Sequence, residues 1–129
     1  MIGYVSLGTN DLDRALAFYD RVLAPIGGKR IQQMPDARGW TLYGAGRGKP
    51  MLAITRPIDG GAASAGNGTM VALYAPAREQ VDSVHAEALA LGAANEGEPG
   101  SRGPKSMNFY GAYFRDFDGN KLCVFHMPT

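Results

Sequence analysis

The stretch Asp116-Phe117-Asp118-Gly119-Asn120-Lys121-Leu122-Cys123-Val124-Phe125 decides the fold. Its Asp-Gly pair lies between two runs rich in aromatic and β-branched residues. It reads as a tight turn, because Gly supplies a positive φ and Asp can hydrogen-bond its own backbone. In the strand that follows, alternation puts Leu122 and Val124 on one face and Cys123 and Phe125 on the other. Cys123 therefore has two readings: a nucleophile aimed at a cavity, or a small buried hydrophobe with no His or Lys predictably beside it.

Working outward, Phe109 to Arg115 is the strand entering the turn, preceded by a loop from Pro99 to Ser106 and an extended segment from Ala94 to Glu98. Ala77 to Leu91 reads as a helix with Val81, Val84, His85, Ala88 and Leu91 on one stripe and Gly92 as its stop. Thr69 to Ala75 reads as a strand. The first half of the chain has the same order. A strand from Ile2 to Gly8 leads through Asn10, an N-cap candidate, into a helix with Leu12, Ala15, Leu16, Tyr19, Val22 and Leu23 at helical spacing. Pro25 and Gly27-Gly28 end it, and strands follow at Lys29 to Met34, Arg38 to Tyr43 and Met51 to Thr55. A glycine-rich segment, 57–68, separates module one (1–56) from module two (69–129). Each module is strand, helix, then three strands, an internal repeat of element order.

Strand phase divides the residues into two sheet faces. Val5 and Leu7, Val71 and Leu73, and Leu122 and Val124 form aliphatic pairs suited to cover by the helices. The opposite phases carry Tyr4 and Ser6, Met70, Ala72 and Tyr74, and Cys123 and Phe125, a mixed surface expected of a cavity wall. Trp40, Tyr43, Asn108 and Tyr110 are further candidates for that wall.

Bulk properties remove several classes of function. The 129 residues predict one domain with a real core. A net charge of +1, spread along the chain, leaves no footprint for nucleic acid or an anionic membrane. No apolar run is long enough to span a bilayer and no secretory signal is expected. The single cysteine fits a reducing, cytoplasmic setting. The run Gly44, Gly46, Gly48, Lys49 lacks the spacing and following helix of a phosphate loop, and Asp116, Asp118 and Asn120 lack the distal Glu of a calcium loop. His85 lies on a core stripe, and His126 shares the phase of Leu122 and Val124, so neither is a catalytic candidate.

The opening Tyr4-Val5-Ser6-Leu7-Gly8 with Asn10-Asp11-Leu12-Asp13-Arg14-Ala15-Leu16-Ala17-Phe18-Tyr19, and the closing Arg115-Asp116-Phe117-Asp118-Gly119-Asn120-Lys121-Leu122, resemble the vicinal oxygen chelate superfamily. That group contains glyoxalase I, bleomycin-resistance proteins and extradiol dioxygenases. Phe117 stands where the family's turn usually has proline. The resemblance spans essentially the whole chain and implies an α+β fold of two tandem βαβββ modules whose sheets curl around a shared cavity. Fold alone does not imply activity.

Metal-dependent members take ligands from four positions that fall here on Tyr4, on the segment Met51 to Thr55, on Met70 and on Cys123. None supplies the expected carboxylate or imidazole, so the resemblance implies loss of the metal site and no cofactor is expected. The resulting expectation is a metal-free protein that binds an apolar or aromatic small molecule through Tyr4, Trp40, Met70, Tyr74, Asn108, Tyr110, Cys123 and Phe125. The alternative is a glyoxalase-like lyase or isomerase with Tyr4 as its only evident acid–base group. A homodimer is expected from the same resemblance.

Overall fold

The computed structural model describes residues 1–128; Thr129, counted in module two above, lies outside the described residues. Module one runs β1 (Tyr4–Gly8), α1 (Leu12–Val22), β2 (Lys29–Gln33), β3 (Thr41–Gly44) and β4 (Met51–Thr55). Module two repeats that order with β5 (Val71–Tyr74), α2 (Arg78–Ala90), β6 (Ala94–Ser101), β7 (Tyr110–Arg115) and β8 (Lys121–His126). The sheets have the equivalent orders β1-β4-β3-β2 and β5-β8-β7-β6. In each, the first and last strands of the module run parallel and the remaining neighbours antiparallel. The α+β class and both βαβββ modules expected from sequence are present.

Register confirms the two-faced reading. Val5, Leu52 and Tyr43 lie in register on one side of the first sheet. Val71 with Leu122 and Leu73 with Val124 do the same in the second. These sides meet α1 and α2, whose buried residues join one continuous core. Alternation along the strands supplies that apolar face, and 3.6-residue periodicity supplies the helical stripe that covers it.

Three local readings change. Asp11, rather than Asn10, is the α1 N-cap: its backbone is extended and its side chain accepts from the Arg14 N–H. The Asn10 side chain is engaged elsewhere, exchanging hydrogen bonds with the Ala63 backbone. Strand β6 continues to Ser101, because irregular register between Asn95 and Gly100 accommodates the Gly and Pro residues that read as a loop. Phe18, absent from the expected stripe of α1, is 2 % exposed, packed between Tyr19 of its own helix and Phe114 and Phe117 of module two.

The Asp-Gly turn ties the modules together. Gly119 has φ 85° and donates to the Asp116 carbonyl, as a tight turn requires. Its side chains reach into module one: Asp118 accepts from the Asn10 N–H at 2.8 Å, Asn120 donates to the Gly8 carbonyl at 3.0 Å, and Asp116 accepts from the Tyr19 hydroxyl at 2.6 Å. Phe117 lies under the Arg14 guanidinium, 3.5 Å from the ring centroid. The turn thus docks on the corner between β1 and α1. Among the described residues, no helix is long and apolar enough to cross a membrane.

Candidate functional site

The two sheets remain separate because β1 pairs only with β4 and β5 only with β8. Between the segments carrying those two edges lies a cleft of about 640 Å3. That volume is within the range of small-molecule sites. One wall comes from module one, with Val5, Met51 and Leu52; the other is Met70 through Tyr74. Leu23 and Ile26, just beyond α1, close the helix side. The lining is predominantly hydrocarbon and thioether, a surface that gains from contact with an apolar guest.

Few polar side chains reach this space. Tyr43 contributes ring surface, but its hydroxyl donates to Asp20 at 2.8 Å and lies 3.2 Å from the Leu16 carbonyl. Burial, and after it the Asp20 carboxylate, pushes this phenol well up, so Tyr43 stays protonated and occupied. Asp20 also takes a bidentate pair from Arg30 at 2.8 and 2.7 Å. Tyr74 is half exposed, and Lys49 supplies the one charged side chain of the lining.

The residues expected to form a single wall divide into separate environments. Met70 and Tyr74 line the cleft. Tyr4 and Trp40 pair edge to face on the open side of the first sheet, with ring centroids 5.6 Å apart, and neither is part of the cleft lining. Phe125 belongs to an aromatic cluster on the open side of the second sheet, stacked on Phe109 at 5.2 Å and edge-on to Tyr74 at 5.8 Å. Gly111 permits that stack, since a Cβ there would come within 2.6 Å of the Phe109 ring.

Cys123 points to the open side of its sheet by phase yet is 1 % exposed. Its cross-strand neighbour Tyr113 lies against it, with Arg102 above the Tyr113 ring. Burial pushes the Cys123 thiol up, which disfavours the thiolate a nucleophile requires. Tyr110 falls on the opposite, helix-covered face: its register partner is His126, and its hydroxyl donates to Asp82 at 2.6 Å. Asn108 is exposed in a left-handed conformation, φ 52°, at the end of a short 3-10 turn. These two residues do not share a wall with the other candidates. Tyr110 enters its strand one phase away from the cavity side, and Asn108 lies outside the strand.

His85 is buried against β6, with its Nε2 3.1 Å from Asn95 Oδ1, and His126 Nδ1 is 2.9 Å from the Ala75 carbonyl. Neither is near a set of metal donors. Among the described residues, no three His, Cys, Asp or Glu side chains converge to hold a metal ion. Tyr4 and Met51 are register partners, so a phenol and a thioether occupy neighbouring positions on the first sheet, and the segment Met51 to Thr55 holds no carboxylate or imidazole. This donor chemistry does not fit a divalent ion.

A second hollow of about 320 Å3 lies at the other end of β1, between Arg38, Arg56 and the segment between the modules. Sequence reading missed the larger cleft because its defining feature is the gap between two strand edges. Of the residues expected on a cavity wall, Met70, Ala72 and Tyr74, which share a phase, and Tyr43 do line it.

Two four-stranded sheets built from repeated βαβββ units, with a cleft between them, define a paired-module fold. The chain belongs to the Glyoxalase/Bleomycin resistance protein/Dioxygenase superfamily, whose family model matches residues 1–124. It is 35% identical to a glyoxalase/bleomycin resistance protein from Albidiferax ferrireducens, with 99% of each chain covered and a TM-score of 0.84. It is 27% identical to the lactoylglutathione lyase of Agrobacterium tumefaciens, covering 98% of this chain and 92% of that one, TM-score 0.67. A family enzyme from Burkholderia phytofirmans is 19% identical, covers 98% of each chain and shares the fold, TM-score 0.73. None of the curated proteins compared matches this sequence.

Proposed function

We propose that this protein binds an apolar or aromatic small molecule, without a metal, in the cleft between its modules. The observation carrying this reading is the apolar cavity of about 640 Å3 lined by residues of both modules. Burial of hydrocarbon there supplies affinity roughly in proportion to the area removed from water, about 25 cal/mol per Å2 before the costs of association. Metal-free action is supported by Tyr4, the segment Met51 to Thr55, Met70 and Cys123, which supply neither carboxylate nor imidazole at the four positions. Thermal-shift titration with phenylalkyl alcohols tests the reading: binding raises Tm with concentration. A flat response across chain lengths that fit the cavity counts against it. Metal analysis after dialysis provides the second test, and near-stoichiometric zinc, nickel, iron or manganese overturns the metal-free assignment.

In this reading the protein works as a homodimer. Tyr4, Ile31, Met34, Met70 and Tyr74 are exposed large side chains, apolar surface available to a second copy. Sedimentation equilibrium giving a monomer at micromolar concentration refutes the dimer without touching the ligand reading.

Lyase or isomerase activity is the second reading, favoured by the likeness to the Agrobacterium lyase. Tyr4 would be the proton-transfer group. Turnover of the methylglyoxal–glutathione hemithioacetal, with and without added zinc or nickel, distinguishes it from binding alone, and loss of that turnover in Tyr4→Phe assigns the phenol.

A further inference from the structure

The cleft is chemically asymmetric. Its body is hydrocarbon, while Lys49 brings the one formal charge of its lining to the loop between β3 and β4. No acidic side chain belongs to that lining, and Lys49 makes no ion pair among the described residues. The local chain restrains the backbone of this exposed lysine. Its N–H donates to the Gly46 carbonyl, its methylene stem passes beside Gly46, and Pro50 restricts its backbone to extended conformations. Immediately beyond, the Met51 N–H is fixed to the Gly3 carbonyl at 3.0 Å, anchoring the loop to the start of β1.

We propose that the cleft selects an amphipathic monoanion: an apolar body between the modules, with a carboxylate at the Lys49 ammonium. This inference rests on the cleft being the ligand site and assigns the ligand's charge. Lysine offers a compact ammonium donor to a carboxylate without demanding a planar, two-point fit. The Tyr43 hydroxyl cannot serve this role because Asp20 already engages it. An ammonium-bearing analogue would meet Lys49 as a like charge. A neutral alcohol of the same shape gains burial without the charge-assisted contact.

The experiment compares 4-phenylbutyrate, 4-phenylbutanol and 4-phenylbutylamine by calorimetric titration of the full chain, at low and high salt. The expected order is carboxylate, alcohol, amine, with the carboxylate about fivefold tighter than the alcohol at low salt, as suits one solvent-facing ion pair. High salt narrows that gap through screening. Lys49→Gln brings the carboxylate to the alcohol's affinity. Equal binding of carboxylate and alcohol to the unmodified protein, or a gap that survives Lys49→Gln, overturns the charge assignment while leaving the apolar cleft intact. Binding by none of the three removes the cleft as ligand site and this inference with it.

Discussion

Tyr19 on α1 and Asp116 at the start of the Asp-Gly turn are joined by a 2.6 Å hydrogen bond across 97 residues of sequence, from the Tyr19 hydroxyl to Asp116 Oδ2. The other acceptor sites of the same carboxylate are also used. Asp116 Oδ1 takes the N–H groups of Asp118 and Asn120, and Oδ2 takes the Asn120 side-chain amide. Removing the phenolic donor leaves this buried carboxylate short of one partner. Tyr19→Phe is expected to lower unfolding free energy by about 1.5–3 kcal/mol, the range for a buried hydrogen bond to a charged group. Urea denaturation measures it, and a change below 0.5 kcal/mol would show that the modules are held together elsewhere.

Asp116 also gives the structure a pH dependence. Burial, the largest influence, raises its pKa despite the opposing hydrogen bonds from Tyr19 and Asn120. A carboxyl with a folded pKa above its unfolded value near 4 favours folding in its protonated form. That contribution is complete below the unfolded value and is lost as pH rises through the folded one. The stability of the natural protein relative to Asp116→Asn should therefore increase as pH is lowered from neutrality toward about 4. Denaturation of both proteins across this window checks the sign, and a constant difference contradicts it.

Gly119 carries the backbone half of the turn. Its φ of 85° is open to glycine and strained for a residue with a Cβ. Gly119→Ala should cost about 1–2 kcal/mol, the left-handed penalty. Thermal unfolding reads the loss, and an unchanged Tm would indicate that the turn adopts another geometry without consequence.

These three residues mark how far the sequence was legible. Asp118-Gly119 announced a chain reversal, and alternation from Leu122 to Phe125 assigned each side chain a face, because both signals are local. Helical spacing found Leu16, Tyr19, Val84 and His85 for the same reason. The docking of the turn was not legible, since Asn10, Gly8 and Tyr19 meet it through contacts that no spacing encodes. Phe18 lay beside the expected stripe and was missed because α1 packs against module two as well as its own sheet. Cys123 and Phe125 share a phase, yet Tyr113 covers one and Phe109 stacks on the other. Phase names a face; it does not say what stands over it. Lys49 gave no sign of a cleft, because its loop reads equally well as a plain hairpin.

Cys123 should resist modification in the native protein. It is buried beneath Tyr113, and its thiol is pushed up by that burial. Reaction with iodoacetamide at pH 8 is expected to be on the order of a hundredfold slower than in denaturant, the ratio set by a local opening of about 3 kcal/mol. Comparable rates in the two conditions would place the thiol at an accessible surface. Because its folded pKa is raised, any stability it contributes is retained at neutral pH and lost as pH rises through that folded value.

Ala72 offers the most direct way to fill the cleft. It lies in the middle of β5, is exposed, and lines the cavity, so a large side chain there can occupy the ligand's space without entering the core. Ala72→Trp should reduce binding of 4-phenylbutanol at least tenfold, a change of about 1.4 kcal/mol. Its Tm should change little because strands accept aromatic residues. Tyr4→Ala provides the opposing test, since Tyr4 packs on Trp40 outside the lining. It should leave affinity within twofold, about 0.4 kcal/mol. Trp40 is the chain's single tryptophan, so its emission should change in Tyr4→Ala and remain steady when the natural protein binds phenylbutanol. The reverse result, with affinity lost in Tyr4→Ala and retained in Ala72→Trp, would move the ligand from the cleft to the open face of the first sheet.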